Sequence, residues 1–91
     1  MQEHQVSVEG PLTFETAGEC ARTLNDAINS YDTIAVDLAD CTSIDLAGAQ
    51  VLISSVKTAR QHNVTLRYRN AERYRLICEY AGLKAKGLAD S

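Results

Sequence analysis

Residues Ser43 to Leu52 read SIDLAGAQVL, and the fold turns on how this stretch is parsed. Ile44 closes an extended segment. From Ala49 the apolar residues Ala49, Leu52, Ile53, Val56 and Ala59 recur at three- and four-residue steps, the period of one helix face. The chain therefore leaves a strand and enters a helix at Asp45, which has the residue type of a helix N-cap. Its carboxylate can accept from the amide of Ala47 or Gly48, worth about 1 kcal/mol. Gly48 lacks a side chain and lets another backbone, or a partner's surface, come close.

Upstream, Thr33–Leu38 reads as a strand with Ile34, Val36 and Leu38 on one face and Thr33, Ala35 and Asp37 on the other. One polar face predicts a sheet covered mainly on one side. A first strand is expected over Gln5–Glu9. Gly10-Pro11 predicts a turn, and Leu12 and Phe14 a short return strand beginning at Pro11. Thr16-Ala17-Gly18-Glu19 has the form of a capping box. Behind it Ala17, Cys20, Ala21, Leu24, Ala27 and Ile28 mark a helix ending near Ser30.

Downstream, the second helix should run from Gly48 to His62, with Asn63 as a left-handed cap. Val64, Leu66 and Tyr68 alternate with Thr65, Arg67 and Arg69 as another one-sided strand. Asn70 is placed to cap a third helix, with Glu72 in its first turn and Tyr74, Ile77, Cys78 and Ala81 on its apolar face. Gly82-Leu83 suits its ending. Strand–helix–strand units joined by right-handed crossovers predict an α/β fold of two layers. The expected sheet is small and mixed, of about four strands, with helices packed mainly on one face.

The chain has 91 residues, 45% of them hydrophobic, which is enough for one modest core and a single domain over 1–91. It begins MQEHQV, without the basic and apolar run of a secretory signal, and no apolar stretch approaches a membrane span. The expectation is a cytoplasmic protein with no membrane insertion. Cys20, Cys41 and Cys78 share no metal-type spacing and are expected as reduced thiols.

Residues 1–50 hold nine acids and one base, Arg22, a net of −8; residues 51–91 hold eight bases and three acids, a net of +5. Such polarity can steer a charged partner, unless folding interleaves the two halves. Arg67 and Arg69 share a strand face and are candidates to bind an anion, a nucleotide or a lipid headgroup. Nucleic acid is not expected at a pI near 5.2.

Asp37, Asp40 and Asp45 are read as loop acids and one helix cap rather than a magnesium site. Neither His4 nor His62 pairs with a nucleophile at readable spacing, and no GxGxxG, Walker or HExxH motif occurs. No catalytic residue, metal or cofactor is expected, and the chain is not read as an enzyme.

The order of elements, the segment Ile34-Ala35-Val36-Asp37-Leu38, the turn Ile44-Asp45-Leu46-Ala47-Gly48-Ala49-Gln50-Val51-Leu52 and the Ala81-Gly82-Leu83 ending together resemble the STAS domain. This is the module of anti-sigma-factor antagonists and of sulfate-transporter tails. The likeness runs over nearly the whole chain and is nearest to stand-alone bacterial STAS proteins, some encoded with chemotaxis genes.

Family members typically carry Asp-Ser-Ser-Gly or Asp-Thr-x-Gly at this turn. The resemblance implies a partner switch: an anti-sigma factor, often a serine kinase, binds the turn and phosphorylates the second residue after the Asp, which drives release. Here that position is Ala47, and the one before it is Leu46. Neither has a hydroxyl, and the nearest, Thr42 and Ser43, are weak candidates for displaced phosphorylation.

On spacing alone two readings of the turn stay open. Leu46 tucks into the core with Asp45 merely a cap, or Leu46 is an apolar knob ringed by Ser43, Asp45 and Gln50. The resemblance implies the second. It makes Ser43, Asp45, Leu46, Ala47, Gly48 and Gln50 the expected partner-binding residues of a non-catalytic module in partner-switching or chemosensory signalling and the regulation of transcription. The implied partner is an anti-sigma factor or serine kinase, or a chemosensory protein. Alternatives are a STAS subunit seated on the ATPase of a bacterial lipid-transport ABC system, or a sensor of nucleotides or other anions. A sheet with one polar face permits a monomer or a dimer.

Overall fold

The structure is a computed structural model and describes residues 3–79. Its centre is β3 (Thr33–Asp37), where Ile34, Ala35 and Val36 are fully buried. They are buried because β3 is the middle strand of three, flanked by β1 (His4–Ser7) and β5 (Thr65–Arg69). Both neighbours run parallel to it: Ile34 lies in register with His4 and Leu66, and Val36 with Val6 and Tyr68.

A second parallel ladder joins β2 (Gly10–Leu12) to β4 (Cys41–Ile44), with an irregular register between Gly10 and Pro11. The two ladders continue one another. Between them the Val8 amide donates to the Asp37 carbonyl and the Gly10 amide to the Asp40 carbonyl, both at 3.0 Å.

The α/β two-layer class is thus as the sequence predicts, but the sheet differs in detail. It is parallel rather than mixed, with five strands in two ladders rather than about four. β2 does not return along β1. Gly10 takes φ +72°, a conformation that costs glycine little, and bends the chain onward beside β4.

Parallel strands require long crossovers, and two helices supply them. α1 (Ala17–Ser30) carries the chain from β2 to β3, and α2 (Leu46–Gln61) from β4 to β5. α1 buries Ala17, Leu24, Ala27 and Ile28. α2 buries Gly48, Ala49, Leu52, Ser55 and Ala59. These helices close a single apolar core over Val6, Val8, Leu12, Ile34, Val36 and Leu38. Ala35 is buried outside that core. It points to the other face of the sheet, in register between Gln5 and Arg67, so the expected polar face is covered at its middle.

Two expected caps resolve differently. Thr16 stands at the N-cap of α1 without capping it. Its Oγ1 accepts from the Thr13 amide at 3.0 Å and lies 3.0 Å from the Pro11 carbonyl, so it locks the β2–α1 turn instead. Asn70 does not cap a helix. At φ 58° it turns the chain, and its Nδ2 donates to Asp37 Oδ1 at 2.8 Å. The segment behind it begins as a 3-10 turn at Glu72–Tyr74 and is helical over 75–79. Tyr74 is buried there, its hydroxyl donating to the Cys41 carbonyl. Asn63 takes φ 58° behind α2, the left-handed ending expected of it. Ala81, Gly82 and Leu83 lie outside the described residues.

Candidate functional site

The entrance to α2 is built by contacts between β2 and β4. Ile44 pairs with Leu12, and the Asp45 amide donates to the Leu12 carbonyl at 3.2 Å. This fixes Asp45 in an extended conformation with its carboxylate over the first turn of the helix. Oδ1 accepts from the Gly48 amide at 2.9 Å, the N-cap expected from spacing. Oδ2 accepts from the Phe14 amide at 3.0 Å, a contact between residues far apart in the chain. One carboxylate thus ties the β2–α1 turn to the start of α2.

Gly48 is buried against β2. A Cβ at this position would lie 2.2 Å from the Leu12 carbonyl oxygen and 2.8 Å from Leu12 Cγ. The backbone that approaches Gly48 is therefore the domain's own, and its role is to let β2 lie on the helix entrance. The other expected site residues are reachable. Ser43 and Gln50 are exposed, and Asp45, Leu46 and Ala47 half-buried. Thr42 and Ser43 are exposed on β4, ahead of the helix. Ala47 sits in the first turn of α2.

Phe14 is the residue sequence reasoning missed. It was expected in a strand, alternating with Leu12. It lies beyond the end of β2 with 74% of its surface exposed, its backbone held by Asp45. The signal available in sequence was the chain's single phenylalanine standing just before a helix start. Its neighbour Glu15 is exposed too. Among the described residues the ion pairs are Glu3 with Arg67 and Arg69, and Arg75 with Glu79, so none neutralises the acids near this corner.

The remaining candidates take other places. Arg67 and Arg69 project from one face of β5 and both grip Glu3. Asp37 Oδ1 accepts from Asn70 Nδ2 and, at 2.9 Å, from the Ala39 amide; these bonds, with Arg69 nearby, hold its carboxyl below the ordinary value. Among the described residues no three His, Cys, Asp or Glu side chains are grouped to hold a metal ion.

His4 stacks on Tyr31, ring centroids 3.9 Å apart, and His62 Nδ1 lies 2.9 Å from the Thr58 carbonyl. All three cysteines are free, and burial pushes the Cys20 and Cys78 thiols up, away from the reactive thiolate. Among the described residues no helix is long and apolar enough to cross a membrane.

A family model described as "Mlab, STAS domain" matches residues 1–87. The chain belongs to the STAS-domain family. STAS domains are in general non-catalytic binding modules, and membership supports a general role in protein interaction or regulation for this one. A solved structure described as "Crystal Structure Analysis of Mglu" superposes on this STAS domain with a TM-score of 0.70 at 21% identity. The match covers 78% of this chain and 18% of that one, and it bears on the fold alone. A comparison with curated proteins found no match.

Proposed function

We propose that this STAS domain, one module over 1–91, binds a protein partner through the α2 entrance and does so permanently in the unmodified form. The observation that carries the reading is Leu46-Ala47 in the first turn of α2, half-buried and free of hydroxyls, with the exposed Phe14 tied by its backbone to the Asp45 cap of the same turn. Ser43, Asp45, Leu46, Ala47 and Gln50 form the contact, Gly48 seats it, and Phe14 extends it. An apolar centre with a polar rim is the anatomy of a protein interface. The leading role is that of an anti-sigma-factor-antagonist-like regulator in a partner-switching or chemosensory circuit of the bacterial cytoplasm. Control by phosphorylation at Ala47 has no acceptor atom there.

A second reading, which the family resemblance implies, is a STAS subunit seated on the ATPase of a lipid-transport ABC system. Both use the same surface and differ in the partner.

The test is Ala47→Asp. An acid in the first turn suits the helix dipole, so the fold should hold. The new charge falls where phosphorylation would place one. Partners retained by the wild-type chain from native lysate are identified by mass spectrometry, as a kinase-type protein or a transporter ATPase, and rechecked with the variant. Loss of the partner with the fold intact supports the docking site. Equal retention would refute it.

A further inference from the structure

Two guanidinium groups on β5 converge on one carboxylate. Arg67 Nε and Nη2 lie 3.0 and 2.6 Å from Glu3 Oε2, and Arg69 Nη2 lies 2.7 Å from Glu3 Oε1. Alternation along a strand sets both arginines on one face, which is also the face of Ala35 and Asp37, their register partners on β3. Glu3 comes from the far side. It precedes β1, and β3 stands between β1 and β5, which places the outer strands about 10 Å apart. The carboxylate reaches across because Ala35, the residue between, carries only a methyl group. Both arginine side chains remain about half-exposed, and Glu3 is the one acid within ion-pair distance of either among the described residues.

The geometry points to the Arg67–Arg69 pair as a binding site for a phosphate group, with Glu3 occupying it as an internal and displaceable competitor. The two side chains already aim their donors at one anion-sized place. A carboxylate answers them with two oxygens and a single charge. A phosphate has a third oxygen and close to two charges, and planar guanidinium forks match it well. Displacing Glu3 costs little elsewhere, because the first ladder pair is His4 with Ile34 and no core residue depends on Glu3. Asp37 bounds the site on the Arg69 side, its Oδ1 accepting from Ala39 and Asn70.

The experiment is an amide NMR titration of the full chain with inorganic phosphate at low ionic strength, where exposed charges are least screened. Saturable shifts centred on Glu3, Ala35, Arg67 and Arg69 are expected. Glu3→Gln, which removes the competing charge ahead of β1, should tighten phosphate binding about fivefold, the scale of one exposed ion pair. Arg67→Gln and Arg69→Gln should each weaken it, and together abolish it. Vesicles of phosphatidylcholine with and without phosphatidic acid separate two sources of the phosphate. Arginine-dependent binding to the phosphatidic-acid vesicles assigns a lipid headgroup; binding of soluble phosphate without vesicle binding assigns a free phosphorylated ligand. Unchanged affinity in Glu3→Gln, or in the double arginine variant, would overturn the assignment and leave the triad a staple between the N-terminal segment and β5.

Discussion

The Asp45 carboxylate holds the Phe14 amide at 3.0 Å across 31 residues of sequence. Its other oxygen caps α2 through the Gly48 amide. The same side chain therefore starts a helix and fixes the backbone of the exposed Phe14 to that start. Asp45→Ala removes both hydrogen bonds and should cost about 1–2 kcal/mol in urea denaturation. Asp45→Asn should lie between, because its one carbonyl oxygen can serve only one of the two amides. Equal stability of Asp45→Ala and wild type would mean that neither bond contributes.

Gly48→Ala separates helix propensity from packing. Propensity alone favours alanine by about 1 kcal/mol. The added methyl would instead meet the Leu12 carbonyl oxygen at 2.2 Å and force β2 off the helix entrance. Net destabilisation of about 1–3 kcal/mol is expected, the usual range for an overpacked site. A rise in the denaturation midpoint would contradict the contact.

Asn70→Gly keeps a residue that tolerates φ 58° and removes the donor to Asp37. The Asp37 carboxyl, held below its ordinary 3.8 chiefly by Asn70, should titrate higher, read by carbon-13 NMR of the carboxyl. A depressed carboxyl adds stability that is present above its unfolded value and lost as pH falls through the folded one. Acid sensitivity below about pH 4 should therefore be milder in Asn70→Gly. No change in the Asp37 titration would rule out the bond.

Much of this architecture is legible in local pattern. The alternation Val64, Leu66, Tyr68 and the apolar stripe through Leu52, Val56 and Ala59 mark β5 and α2, and Asn63 marks where α2 stops. The Asp45 cap is legible for the same reason, being a contact three residues long. What escapes local reading is set at a distance. β4 is four residues with no lasting alternation, and its partner β2 is about thirty residues upstream. The exposure of Phe14 depends on that pairing.

Thr16 and Glu19 carry a capping-box pattern, yet the Thr13 amide donates to the Thr16 hydroxyl oxygen and the hydroxyl turns its proton to the carbonyls of Pro11 and Thr13. Ala35 reads as half of a polar face and is buried by its strand neighbours. Gly48 signals a close approach, and only the fold says that the approaching backbone is that of Leu12.

The central claim is that a helix entrance without a hydroxyl docks a protein partner. Its most direct measurement is calorimetric titration of the identified partner with wild-type chain and with Leu46→Asp, the fold of each checked by circular dichroism. A charge set into the apolar centre of the contact should weaken binding about tenfold or more, at least 1.4 kcal/mol. A folded Leu46→Asp variant with the wild-type Kd would contradict the account.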